Sequence, residues 1–364
     1  MKNNKFITLI KPALPSLISI AIGMVIAVII LLFTNPNNAL DGLVRMLKGP
    51  FNFGLQRGLG NMLYFATPIL LTGLSVAFAF KTGLFNIGAS GQFMVGSFTA
   101  IYIAVKWTFI PPSVLWIVSL IGAALAGALW ASVVGILKAW RNVNEVITSI
   151  MMNYIGMYVV LFLIKAMGIY NSLKNETMPV KTNLPKAGLD IIFKGSFADV
   201  GILIGIAGAI LIYFILEKTT FGFELKAVGL NKDASEYAGI NQKRNIILSM
   251  VIAGALAGLA GGVAYLAKTG KSIKLVQVLA PEGYSGIAVA LLAANNPIGV
   301  IFSSFFISYM SLGGQSMQTI GYVPEIIDMM IAVILYISAL SSLFAILLNK
   351  YRKKKKPQIA QEEE

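Results

Sequence analysis

The sequence predicts an all-α integral membrane protein of about ten transmembrane helices, with both termini cytoplasmic. Three observations predict this. Of 364 residues, 57% are hydrophobic and only 12% are charged, whereas an average soluble domain carries about 25% charged residues. The mean hydropathy is +0.79, and apolar runs recur at about the 20-residue length that a membrane helix needs. The basic residues fall between those runs. With an even number of spans and the termini inside, cytoplasmic stretches are about twofold denser in Lys and Arg than the outer ones.

Taken in order, the first run is Leu14–Phe33, preceded by Lys2, Lys5 and Lys11. It is longer than a secretory h-region and lacks a small-residue cleavage site, so it reads as a retained first span. Residues 34–61 form an outer segment, within which Asn38–Lys48 is amphipathic and expected to lie on the surface. The core, 62–348, contains the candidate spans Met62–Phe80, Leu84–Val105, Ser113–Leu137, Val146–Ile164, Val200–Leu216, Ile246–Ala267 and Ile326–Leu348. Between Gly283 and Pro324 no residue is charged. That run is too long for one span, and Asn295-Asn296-Pro297 interrupts it, because Pro lacks a donor and disfavours helix before it. It divides into Tyr284–Ala294, partly re-entrant or extended backwards, and Ile298–Leu312. A basic and acidic tail, 349–364, closes what reads as one membrane domain over 1–364. Its Lys350 and Arg352–Lys356 support the cytoplasmic placement.

Two loops are long. Lys165–Asp199 is placed outside and carries a chance sequon at Asn175. Loop 217–245 is placed inside and is rich in Ala, Gly and mixed charge. Within it Asn231 suits the N-cap of a short helix, Lys232–Ala238, which Gly239 would stop. Glycines at four-residue spacing, Gly201/Gly205 and Gly254/Gly258/Gly262, predict close helix packing, with a subunit interface as one place for it.

The composition excludes much chemistry. With no Cys and no His, there are no thiolate nucleophiles, no Cys/His metal sites and no His base. No catalytic residue, metal ligand or bound cofactor is expected. Gly270-Lys271-Ser272 resembles the end of a phosphate-binding loop, but the required first glycine falls at Tyr265. Any nucleotide must therefore be bound by another polypeptide. No ionisable residue is placed at a span centre, since Glu145, Glu282, Glu325 and Asp328 lie near span ends; this argues against an acidic proton relay. The net charge of +14 reflects topology and anionic lipid rather than nucleic acid. Within the membrane the polar groups are neutral: Asn86, Ser90, Gln92, Asn153, Tyr154 and Gln315. They are candidates for a solute path, although for any single one a hydrogen bond to a neighbouring helix is the favoured reading.

The stretch Gly83-Leu-Phe-Asn-Ile-Gly-Ala-Ser-Gly-Gln92 is similar to the Gly-Leu-Phe-Asn-Ile-Gly-Ala-Glu-Gly-Gln of bacterial ATP-binding-cassette importer permeases that handle nucleosides. Phe221 through Ile240 resembles the coupling loop of that family. Gly286–Gly299 resembles its late membrane motif, and Asn144-Glu145-Val-Ile with Met-Met-Asn153-Tyr154 fits as well. The likeness covers about Pro68 to Leu340 and is to the nucleoside, simple-sugar and branched-chain amino acid branch, most of all to the larger nucleoside permease subunit. Ser90 stands where that motif has Glu, which removes a carboxylate.

The resemblance implies a permease subunit that catalyses no covalent chemistry and forms half of a solute path. It implies partners: a second, different permease chain, cytoplasmic cassette subunits that use ATP, and an extracellular binding lipoprotein. The site would be the inner bacterial membrane. Coupling to the cassette would fall on Phe221, Gly222, Leu225, Ala227, Val228, Gly229, Asn231, Ala234, Ala238 and Gly239. A neutral nucleoside is the expected solute, with ribose or another simple sugar as the alternative, and an ion-coupled secondary transporter as the alternative of another class.

Overall fold

The computed structural model describes residues 14–340. The tail 349–364, the last residues of the span expected over Ile326–Leu348 and the lysines before Leu14 lie outside them. Chain contacts gather into two compact units, residues 53–308 and the segments either side of them, where the sequence suggests one continuous domain.

The larger unit holds eight helices of membrane character or close to it. They are α3 (Leu55–Lys81), α4 (Ala89–Lys106), α5 (Pro112–Arg141), α6 (Glu145–Ala166), α8 (Gly201–Lys218), α11 (Gln242–Leu266), α12 (Pro281–Leu292) and the first part of α13 (Pro297–Met317). Short α7 (Leu189–Ile192), α9 (Thr220–Leu230) and α10 (Lys232–Tyr237) sit in connections. A two-residue hairpin, β1 (Tyr170–Asn171) and β2 (Glu176–Thr177), turns at Asn175, whose φ is +52°. The smaller unit contains α1 (Leu14–Thr34), α2 (Ala39–Lys48) and α14 (Pro324–Ala339).

Among the described residues six helices are long and apolar enough to cross a membrane: α3, α5, α6, α8, α11 and α13 with its following turn. The chain is a multi-pass membrane protein. Most sequence-derived spans start or end a few residues inside the real helices. The exception is Leu84–Val105, whose first turn is missing: Gly83 has φ +70° and the chain turns irregularly until α4 begins at Ala89.

Glycine explains how the helices of the larger unit meet. A Cβ on Gly127 would lie 2.3 Å from the Gly254 carbonyl oxygen, and one on Gly258 would lie 2.3 Å from that of Ala123. On the other face of α11, a Cβ on Gly261 would lie 2.2 Å from the Phe93 oxygen. The small stripe of α11 thus seats α5 and α4 at backbone contact, as small residues permit where helices pack in lipid. Gly201 and Gly205 instead make room for side chains, a Cβ there lying 2.5 Å from Val263 Cγ1 and 3.1 Å from Leu70 Cδ2. These glycines pack within the subunit, which corrects the suggestion that they mark an interface between subunits.

In the smaller unit α1 and α14 pack with Gly23 against the Ile334 backbone. The amphipathic α2, expected from the sequence, is held by Arg45, which donates to the Ser316 carbonyl at 3.3 Å and to Thr319 Oγ1 at 2.8 Å. Tyr322 Oη donates to the Asn35 carbonyl at 3.1 Å.

Candidate functional site

Three features of the larger unit carry polar chemistry. The first is the break between α3 and α4. Non-helical backbone at membrane depth must find hydrogen-bond partners within the protein, and here amide side chains supply them. Asn86 and Gln92 exchange two hydrogen bonds, Nδ2 to Oε1 and Nε2 to Oδ1, both 2.9 Å, and Asn86 Nδ2 also donates to Ser75 Oγ at 3.0 Å. From α6, Asn153 Oδ1 accepts from the Gly91 N–H at 2.7 Å, and its Nδ2 donates to the Ile87 carbonyl at 3.0 Å. Asn86, Ser90, Gln92 and Asn153 are all fully buried. The structure therefore gathers four of the six predicted path residues into one knot. Their hydrogen-bonding groups are turned on each other and on the backbone. Tyr154 is half exposed beside this knot on α6. Gln315 is exposed and belongs to the smaller unit.

The second feature is the helix pair between α8 and α11. Gly222 permits the turn into α9, since a Cβ there would lie 2.1 Å from the Ile215 oxygen. Asn231 caps α10 by accepting from the Ala234 N–H at 3.1 Å, and Gly239 stops it at φ +80°. Both roles are as the sequence predicts, whereas the regular helix over Thr220–Leu230 is not anticipated by its glycines. Leu225 and Val228 point inward, and Phe221 and Ala227 are partly buried. Ala234, Ala238 and Gly239 are exposed, together with Phe223, Leu230 and Tyr237. Ser235 is buried, its Oγ donating to the Lys232 carbonyl at 2.6 Å, so it is not an accessible position. Gly229 backs onto the turn after α3: its Cβ would lie 2.4 Å from the Lys81 oxygen and 2.9 Å from the Gly83 N. The α9–α10 pair thus touches the same turn that the amide knot holds open.

The third feature has no motif in the sequence. After α11 the chain does not stay at that end of the bundle. Residues 267–280 run back into it, with Ser90 Oγ donating to the Ala280 carbonyl at 2.7 Å and Thr72 Oγ1 to the Glu282 carbonyl at 2.9 Å. Thr72 lies 17 residues into α3 and nine from its end, about 25 Å and about 14 Å along the axis. Glu282 therefore starts α12 deep within the span, not near a span end, and α12 is a half-helix. Its carboxylate pairs with Lys271 at 2.6 Å. The Lys271 ammonium also lies 4.9 Å from the centre of the Tyr265 ring, and Tyr64 Oη and Thr269 Oγ1 share a hydrogen bond at 3.4 Å. The expectation that no ionisable residue reaches the span interior is corrected. The one signal for it was the coincidence of Pro281 and Glu282 with the start of the long uncharged run.

A further ionisable group stands just before α8. Asp199 is buried, one oxygen accepting from the Gly201 N–H at 2.8 Å and the other without a hydrogen-bond partner. Burial pushes its carboxyl up to about 6, against the smaller opposing effects of that N–H and of the Lys186 charge.

No group of three or more acidic residues that could hold a metal ion occurs among the described residues. Residues 58–339 match the family described as branched-chain amino acid transport system / permease component. The chain belongs to this family. A nucleoside ABC transporter permease protein of Lactococcus lactis is 38% identical over 82% of this chain and 83% of its own length. A guanosine ABC transporter permease protein of Bacillus subtilis is 36% identical over 93% and 96%. A glucose ABC transporter permease protein of Haloferax volcanii is 32% identical over 80% and 76%. No solved structure is significantly similar. The permease is thus a transport component, and the family implies a cassette ATPase and a binding protein as partners.

Proposed function

We propose that this permease forms half of the solute path of an ATP-driven importer for neutral nucleosides, in the bacterial plasma membrane. Its solute would arrive from an extracellular binding protein, and ATP would be hydrolysed on cassette subunits docked at α9 and α10. The permease itself would make no covalent change to the solute and hold no cofactor. The observation that carries the solute is the near full-length likeness to the nucleoside and guanosine permeases. For the coupling role, the support is the small-faced α9–α10 pair, whose outermost apolar side chains, Leu230 and Tyr237, are almost fully exposed. Exposed apolar groups on a short helix outside the spans suit a cleft on another protein.

Ten spans with both termini cytoplasmic remain the best account of the topology. The six long helices would be joined by α1, α4, the half-helix α12 and α14, which puts the basic α9–α11 connection on the cytoplasmic side. The second permease chain would cover the remaining face of the path. In this arrangement the knot of Asn86, Gln92 and Asn153 acts from behind the wall: it fixes the broken segment rather than touching solute. The solute is tested by reconstituting the complex with its binding protein and offering labelled guanosine, adenosine or uridine. Uptake should saturate and free ribose should compete poorly. The likeness to a glucose permease favours one other reading, and saturable ribose or glucose uptake that excess nucleosides fail to inhibit would establish it.

A further inference from the structure

The returning segment 267–280 does not fill the space it enters. Between it, α4 and the start of α12 lies a cavity of about 450 Å³, bordered by Met94, Ser97, Tyr265, Lys271, Leu279 and Glu282. This is within the about 300–1,000 Å³ usual for small-molecule sites. Its lining is mostly apolar, and its charged members are Lys271, Glu282, Lys274 and Glu176 of β2. Lys271 and Glu282 pair directly with each other, their side chains 36% and 19% exposed. Charged groups at membrane depth are costly and are retained mainly where they handle a solute or an ion. Half-helices that begin inside the membrane are a recurrent way to build such sites in transporters.

Resting on the reading of this chain as a nucleoside permease, we propose that this cavity holds the nucleobase and that the Lys271–Glu282 pair reads its edge. The carboxylate can only accept hydrogen bonds and the ammonium can only donate them. A guanine edge is their best complement. It presents two adjacent donors, N1–H and the N2 amino group, to Glu282, and the O6 acceptor beside them to Lys271. Paired donors on a carboxylate make the stronger, charge-assisted arrangement, and Lys to guanine O6 is an established pairing geometry. Hypoxanthine lacks the N2 amino group and forfeits one of those bonds. The pair carries no net charge, so a neutral solute leaves the site electrically balanced. Met94 and Leu279 offer the apolar flanks that a flat base requires.

The test is competition during uptake by the complete reconstituted importer, comparing guanosine, inosine and adenosine. Wild type should prefer guanosine over inosine by about tenfold to a hundredfold, the worth of a hydrogen bond to a charged group. Glu282→Gln should remove most of that preference. The exchange Lys271→Glu with Glu282→Lys keeps an ion pair but inverts donor and acceptor, so it should preserve folding, read as the thermal midpoint, while abolishing the guanosine preference. Restored uptake with unchanged selectivity in the exchange would overturn the proposal and show the pair to be a structural latch. Nucleoside uptake without guanosine preference in wild type overturns the base-reading role alone. Absence of uptake of every nucleoside, with sugar uptake intact, overturns the nucleoside reading and this proposal with it.

Discussion

Removing one amide from the knot at the α3–α4 break should destabilise the protein far more than its single side chain suggests. Asn153→Ala deletes the acceptor for the Gly91 N–H, which is buried, and the donor to the Ile87 carbonyl, which is partly buried. An orphaned buried group costs about 1–3 kcal/mol, so the Gly91 N–H alone amounts to that, and the Ile87 carbonyl adds a smaller part. Asn153→Asp is a sharper version, because it keeps the acceptor, loses the donor and buries a charge. The control is Ser132→Ala, which removes a local hydrogen bond to the Leu129 carbonyl on an exposed helix face and should shift stability by about 0.5 kcal/mol or less. The assay is the thermal midpoint of the detergent-purified permease, followed by loss of its monodisperse elution. Asn153→Ala should lower that midpoint by several times the control's shift. A midpoint indistinguishable from that of Ser132→Ala would refute the claim that these amides hold the break together.

Other expectations follow from single contacts. Gly229→Val places side-chain carbon on the Lys81 carbonyl and the Gly83 amide; it should leave the permease folded but lower transport relative to ATP hydrolysis at least tenfold, measured as solute moved per ATP. A Cys at Tyr237, which is exposed where Ser235 is buried, should crosslink to the cassette subunit, and labelling of it only from outside the cell would refute the topology. For Asp199 the folded carboxyl titrates at about 6 against an ordinary 3.8, so the folded state holds its proton longer than the unfolded state does. Its contribution to stability is therefore fully present below about pH 4 and is lost as pH rises to about 6, by about 3 kcal/mol. Asp199→Asn keeps an acceptor for the Gly201 N–H and should flatten that part of the pH profile, read as thermal midpoints at acid and neutral pH.

How much of this was legible beforehand differs by element. Spans with a continuous apolar run, such as Pro112–Arg141, were visible because lipid imposes length and composition on a helix. The α10 cap was visible because Asn231 and Gly239 act within their own turn. By contrast, the helix over Thr220–Leu230 was not visible, because glycine disfavours a helix interior, yet Gly222 and Gly229 serve close approaches to Leu216 and Lys81 while remaining helical. Whether a membrane amide faces solute or another amide is decided by tertiary contact, so Asn86 and Gln92 could not be separated from path residues by type. Depth misled most. Glu282 borders an apolar run, which in sequence looks like a span end. Only the fold reveals that residues 267–280 carry it back beside Thr72.

The most direct test of the central claim is energy dependence of uptake in proteoliposomes. The permease assembled with its partner permease, cassette subunits and binding protein should accumulate labelled guanosine only when ATP is supplied, and imposed proton or sodium gradients should add nothing. Accumulation by this chain alone under an ion gradient, without cassette subunits or ATP, would contradict the account and make the permease an ion-coupled carrier.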